Sequence, residues 1–297
     1  ALLPNRVEDF CGRARDLWLL LQHLSSSRRC VALCGAAQVG KSALLAELAR
    51  FAGAPGRRFE SRTVLLTLST EHFQGDVVPD NEAIYSRPLL GFLRALAQAV
   101  GRVLAGSSVE WEITDLADDD VLSPAADARF LRTRVVQGLL RLETGGMKVL
   151  LIIDGLDALV AENADLEELR KVLTEVLLRT EQVVLVLGAR QALFQALGAH
   201  KVVAFQLEPL RPMDCARLFL WRVHRPLLVA DLAETAAEAE GGLLPLTVNA
   251  QNRGLVLSQL ASHPLLLQCG GSPGLLRAAA DRVLPGGSSL WALHRNS

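Results

Sequence analysis

Aromatic residues are scarce in this chain, with one Tyr and nine Phe among 297 residues. Ala, Leu and Gly must therefore carry the interior, which favours helix-on-helix and helix-on-sheet packing. Cysteines are few: Cys11, Cys30, Cys34, Cys215 and Cys269, an odd number without C-x-x-C spacing. That excludes a disulfide framework and a zinc ribbon and predicts reduced thiols in a cytoplasmic setting. A surplus of charge of one sign is also missing. The formal net charge is −1, so no global field draws the chain to nucleic acid or to an anionic membrane. No apolar run is expected to reach the roughly 18 residues of a membrane span. From Ala1 onward there is no basic region leading into an apolar core, so no signal peptide is expected, and the lack of an initiator Met points to an excised or processed segment. What is abundant is apolar side chain: half of the residues are hydrophobic, enough for one large domain or two small ones.

One stretch organises the rest. Val31-Ala32-Leu33-Cys34 reads as a buried strand, and Gly35-Ala36-Ala37-Gln38-Val39-Gly40-Lys41-Ser42 fits G-x-x-x-x-G-K-[ST] at every fixed position. Ser42 and Ala43 open a helix that runs to Phe51, with Leu44, Leu45 and Leu48 on one face. Each residue type has a chemical reason. Glycines let the backbone wrap closely around phosphate, and successive N–H groups form an anion nest at a positive helix end. Lys41 can reach the β- and γ-phosphates, and the Ser42 hydroxyl can ligate Mg²⁺. The competing reading is a Gly-containing turn with a surface lysine; the strand–loop–helix context favours a nucleoside triphosphate site.

Further strands are predicted at 63–68, 149–154, 183–187 and 201–207, and helices at 17–24, 89–104, 125–144 and 166–180. Strands separated by helices predict an α/β fold, a parallel sheet covered on both faces. The acidic run Asp118-Asp119-Asp120 can be imagined as a metal cluster, but it reads better as a solvated loop. Beyond Leu207 only helical patterns follow: one from Pro212 or Asp214, then 228–240, 256–269 and 275–284, with a break at Gly270-Gly271-Ser272-Pro273. The expected organisation is a phosphate-loop domain over 1–207, an all-α domain over 208–284 and a tail over 285–297.

Four apolar residues ending in Asp154 can place a carboxylate beside a Mg²⁺ ion held by Ser42. Asp157, three residues on, can polarise an attacking water; its alternative is a cap for the next helix. Arg190 follows the strand 183–187, and ligands of doubly wound sheets bind beyond the carboxyl ends of strands, so it can meet a γ-phosphate. Its alternative is a surface arginine.

The order of these segments resembles the STAND class of signalling ATPases, which contains the NACHT and NB-ARC families. Phe10-Cys11-Gly12-Arg13 is similar to the hhGR motif of that class, LLIIDGLDAL to its NACHT-type Walker B strand, LEPL with Ala216 and Leu218-Phe219 to the entry of its helical domain, and CGGSPGLL to its G-x-P motif. The resemblance spans most of residues 7–284. It implies an ASCE/AAA+-like P-loop NTPase domain followed by a small helical domain. It also implies ATP or ADP with Mg²⁺ as ligands, Arg13 near the adenine and Pro273 against the base. Pro245, in Gly242-Leu243-Leu244-Pro245-Leu246, is the competing G-x-P candidate. Three letters depart from the pattern: Ala158 stands where NACHT proteins carry Glu, Gly155 where NB-ARC proteins carry a second acid, and Gly188 where Thr or Ser is usual before the arginine. Slow or absent hydrolysis is therefore expected. Lys41, Asp157 and Arg190 are the expected catalytic groups, and Ser42 and Asp154 the expected metal ligands.

Two classes of function follow. The first is a nucleotide-controlled switch whose ADP state closes the helical domain over the sheet and whose ATP state permits self-association or engagement of a partner protein through further domains. The second is a turnover motor of the AAA+ type, with a non-hydrolysing scaffold as a third possibility. No N-K-x-D segment follows the Walker B strand, so adenine is expected over guanine.

Overall fold

The computed structural model describes residues 7, 9–68, 87–106, 124–144, 146–159, 163–232, 244–284 and 289–295. The acidic run Asp118-Asp119-Asp120 and most of the predicted helix 228–240 lie outside the described residues.

The chain forms two compact units. One contains Asp16–Gly35 and Lys41–Gln206; the other contains Val7–Arg15, Ala36–Gly40 and Leu207–Ser297. The sequence was divided at 207, but the second unit also takes in two short earlier stretches, one of them the tip of the Gly35–Ser42 loop.

In the first unit, helix α1 (Ala14–Ser25) leads into strand β1 (Cys30–Cys34), helix α2 (Lys41–Ala52) and strand β2 (Thr63–Thr67). Helices α3 (Arg87–Gly106) and α4 (Pro124–Leu142) precede strand β3 (Val149–Asp154), helix α5 (Asn163–Arg179) and strand β4 (Val183–Gly188). A two-residue hairpin, β5 (Ala196–Leu197) with β6 (His200–Lys201), comes before β7 (Val203–Gln206). The predicted fifth strand, 201–207, is thus shorter and follows a separate ribbon.

Five strands form one parallel sheet in the order β2-β3-β4-β1-β7. Every residue of β1, β3 and β4 is buried, as expected for parallel strands covered on both faces. Helix α2 packs on β2, β3 and β4, while α3 packs on β2, α4 and α5. Contrary to the expectation of no membrane-length run, Leu89–Gly106 is long and apolar enough to cross a bilayer by composition alone. Its Leu89, Phe92, Leu93, Leu96 and Val100 are buried in the core of the sheet unit, which is why the helix is apolar.

The second unit is helical. It contains α6 (Pro212–Arg222), α7 (Arg253–Ser262), α8 (Pro264–Gln268), α9 (Pro273–Asp281) and α10 (Leu290–Arg295), with a 3-10 turn at Val229–Asp231. The single helix read over 256–269 is two, because Pro264 cannot continue α7 and instead opens α8 at its first position. Residues 290–295, read as tail, form a helix with Leu290 fully buried. Its anchor is an ion pair inside the unit: Arg225 donates from both Nη atoms to Asp231, at 2.8 and 3.1 Å, and Asp231 also accepts the Leu228 and Leu290 N–H groups.

Candidate functional site

Parallel register brings three strand ends together in the sheet unit. Leu33 is level with Gly188 and Ile153 with Leu187, so Gly35, Gly188 and Asp154 finish a row at the carboxyl edge. A parallel sheet presents its ligand site at this edge. Helix α2 starts there at Lys41, with no Asp or Glu in its first turn to compete for an anion.

Asp154 is 3% exposed. Burial pushes its carboxyl above the usual carboxylate range; hydrogen bonds from the Ser42 hydroxyl and the Gly155 N–H, and the charge of Lys41, pull the other way. The pairing of Ser42 with Asp154 joins two hard oxygen ligands from different elements. Mg²⁺ usually takes one or two protein oxygens and completes its shell with phosphate and water, so this donor pair fits that ion. Among the described residues no group of three His, Cys, Asp or Glu forms a larger metal site.

Asp157 sits in a 3-10 turn, Leu156–Ala158, that starts from Gly155 at φ +80°. A Cβ on Gly155 would lie 2.6 Å from the Leu68 carbonyl oxygen, so the missing second acid has a steric cause. Asp157 accepts the backbone N–H of Arg190 with both carboxylate oxygens, at 2.9 and 3.0 Å. The Arg190 carbonyl accepts the Gly35 N–H at 3.1 Å, and the Gly35 carbonyl accepts Lys41 Nζ at 2.8 Å. A continuous hydrogen-bonded path therefore joins the acid after the Walker B strand to the phosphate-loop lysine. In this arrangement Asp157 binds a strand-end peptide across the sheet edge, in addition to any role toward water. Arg190 contributes its backbone to this path, and the residue as a whole is exposed.

The helical unit holds the loop tip, Ala36 to Gly40. Ala36, Ala37 and Gln38 are exposed, whereas Val39 is buried. Gln38 adopts φ +60° and Gly40 φ +99°; the second value is the reason for glycine. Arg13, 6% exposed, donates from Nη2 to the Val39 carbonyl at 2.8 Å and from Nη1 to the Glu208 carbonyl at 2.7 Å. Ser272 Oγ and Gly274 N–H donate to the Gln38 carbonyl at 3.2 and 3.3 Å. A Cβ on Gly40 would lie 3.4 Å from Pro273 Cγ. Pro273 is thus beside the loop, while Pro245 is exposed and pairs with Leu228 in an isolated bridge.

The residues around Arg13 are fixed in turn. Cys11 Sγ donates to the Asp214 carbonyl, and Asp9 takes a two-pronged hydrogen bond from Arg277 at 2.7 and 2.8 Å. Asp9 left no trace in the sequence, and the carbonyl roles of Gln38 and Glu208 could not be read from their letters, since any residue supplies a backbone oxygen. Ser272 could have been found: Ser before Pro is the signature of an N-cap with proline at the first helical position.

Residues 23–197 match the AAA domain family, and the chain belongs to that family. Among solved structures, the chain is similar to the Walker-type ATPase PABY2304 of Pyrococcus abyssi, at 13% identity and a TM-score of 0.52, covering 94% of this chain and 69% of that one. It is also similar to the ORC1 protein of Aeropyrum pernix, solved in complex with DNA, at 16% identity and a TM-score of 0.50, covering 99% and 68%. At such identities the likeness concerns the fold. No curated protein sequence matches the chain.

Proposed function

We propose that the chain is the ATP/ADP-binding switch module of a STAND-type signalling ATPase, in which nucleotide exchange or slow hydrolysis controls conformation and assembly. The observation that carries this reading is the pairing of Ser42 with Asp154 at the carboxyl edge of the parallel sheet, beside a complete phosphate loop, with Asp157 engaged by the Arg190 peptide. A ligand whose phosphates and metal meet these groups can change the loop's arrangement, and a nucleotide switch requires such differential contacts.

The roles follow from the site. N–H groups of the loop and of the first turn of α2 bind the phosphates, and Lys41 exchanges the Gly35 carbonyl for phosphate oxygens. Ser42 and Asp154 would hold Mg²⁺, whose charge offsets that of the phosphates. Arg190 reads the γ-phosphate. Asp157 orients water only as far as its bond to the Arg190 peptide allows, which supports slow turnover. Pro273 offers a rigid apolar edge without an N–H to leave unsatisfied.

A second reading, a remodelling ATPase of the AAA+ type, draws support from the family match and from the likeness to a DNA-bound ORC1 protein. The net charge of −1 weighs against a DNA partner.

The deciding experiment identifies nucleotide retained by the purified protein and measures its turnover with and without DNA. Retained ADP with slow, DNA-independent turnover is expected. Turnover raised by DNA would replace the switch with the remodelling reading. Lys41→Ala should lower ATP affinity about ten- to hundred-fold, the worth of a charge-assisted contact; unchanged affinity by calorimetry would remove the nucleotide assignment.

A further inference from the structure

Resting on the nucleotide reading above, we propose that Arg13 is a positioning residue of the phosphate loop, and that it acts on the loop backbone without touching the nucleotide. The resemblance placed this arginine at the adenine. Its guanidinium instead spans two backbone carbonyls, Val39 at 2.8 Å and Glu208 at 2.7 Å, and the residue is 6% exposed.

The physical argument concerns peptide planes. A loop that cradles phosphate turns N–H groups inward, so the carbonyls of the same peptides must turn outward. No cis peptide is present among the described residues, so C=O and N–H of each unit of the loop point in opposite directions. Outward carbonyls that leave water need donors. Here the Val39 carbonyl is met by Arg13, and the Gln38 carbonyl by Ser272 Oγ and Gly274 N–H. Fixing the Val39 carbonyl fixes the N–H of Gly40 on the opposite side, where the anion belongs. The φ of +60° at Gln38 is uncommon for a side-chain-bearing residue. It is sustained by these outward bonds.

The second Arg13 bond extends the device. Glu208 is followed by Pro209 and Leu210, and Leu210 N–H donates to the Gly271 carbonyl at 2.8 Å. Gly271, at φ +74°, has no room for a side chain: a Cβ would lie 2.6 Å from the Leu210 carbonyl oxygen. Gly271 leads directly to Ser272, whose hydroxyl returns to the loop at Gln38. Arg13, residues 208–210, residues 271–274 and the loop tip thus form a closed ring of bonds. Three segments matched only by resemblance are, physically, the outer scaffold of the phosphate nest.

The geometry also separates Arg from Lys. A planar fork can serve two carbonyls from different segments in fixed directions, whereas an ammonium is a point charge on a flexible stem. Calorimetric titrations of wild type, Arg13→Lys, Arg13→Ala and Ser272→Ala with Mg²⁺–ATP and with inorganic tripolyphosphate test the proposal, with melting curves as a check on folding. Tripolyphosphate engages the loop but has no base. Both Arg13 variants should lose affinity for the two ligands by the same factor, about ten- to hundred-fold, and Ser272→Ala should lose both in parallel by a smaller one. Loss of ATP affinity with tripolyphosphate unchanged would mean contact with base or ribose and would overturn the proposal. So would full rescue by lysine. If Arg13→Ala does not fold, Ser272→Ala decides: parallel loss supports the ring, and loss for ATP alone refutes it. Wild-type protein that binds neither ligand would overturn the nucleotide reading itself, whereas wild-type binding that all variants retain would overturn this proposal alone.

Discussion

Gly188 ends β4 beside Asp154, and adding a single methyl group there is a sharp perturbation of the metal-ligand pair. A Cβ at this position would lie 2.6 Å from Asp154 Oδ1, 2.7 Å from Leu45 Cδ1 and 3.3 Å from Asp154 Cα. Ordinary contacts between such atoms are about 3.5 Å or more, so two groups must each give way by nearly an ångström. Neither can swing out into solvent: Asp154 is 3% exposed and Leu45 is fully buried. Overpacking of this kind costs about 1–3 kcal/mol. At roughly 2–4 °C per kcal/mol for chains of 150–250 residues, Gly188→Ala should lower the melting temperature by about 2–12 °C. The displaced carboxylate also shifts away from Ser42, so the gain in ATP affinity on adding Mg²⁺ should shrink. Thermal melting and paired titrations with Mg²⁺ and with a chelator measure the two effects. Gly254→Ala is the control, since a Cβ there meets nothing within 4 Å and alanine is the better helix former. A Gly188→Ala protein that melts within a degree of wild type and keeps its full Mg²⁺ response would refute the argument.

Three further outcomes are expected. Asp154 has a raised folded pKa, so the folded state holds its proton more tightly and the buried charge costs stability as pH rises above the unfolded value. Asp154→Asn should therefore melt higher than wild type without ligand at pH 8, the difference should close as pH falls toward 4, and Mg²⁺-dependent ATP binding should weaken; a lower melting temperature at pH 8 counts against this. Asp157→Ala should cost about 1–2 kcal/mol by leaving the Arg190 N–H without its charged acceptor, and Asp157→Asn should slow ATP turnover more than it weakens ATP binding; turnover at the wild-type rate would leave only the structural role. Arg225→Ala strands the fully buried Asp231 and should cost about 3–5 kcal/mol, whereas a loss under 1 kcal/mol in denaturant melts would show that the pair is not buried in solution.

Much of the sheet unit was legible because its signals are made of letters. The Gly35–Ser42 loop has fixed positions, and β1, β3 and β4 are short apolar runs bounded by turn residues. Two departures from the pattern the sequence resembles became intelligible only in three dimensions. Gly155 and Gly188 are not weakened acids or hydroxyls; each occupies a place where a Cβ would collide with its surroundings. The helical unit was read less well for physical reasons. Arg13 binds carbonyl oxygens, and any residue type supplies one, so nothing at Val39 or Glu208 announces the contact. Helix α10 has six residues, too few to show a period, and its anchor Asp231 is 59 positions away. The break at His263-Pro264 was readable in principle, since proline rarely continues a helix.

The stretch Val7–Arg15 has a consequence for how the chain is made. Asp9 leaves the ribosome well before its partner Arg277, which lies 268 positions further on, and the Arg13 partner Glu208 lies 195 further on. Closing separations of this length is entropically unfavourable until the downstream elements exist. During vectorial synthesis the sheet can assemble first, with the stretch Val7–Arg15 and the loop tip still waiting for their acceptors and donors. The nest would then be completed after the sheet, so a nascent chain halted before Ser272 should carry a formed sheet and an unfinished phosphate site.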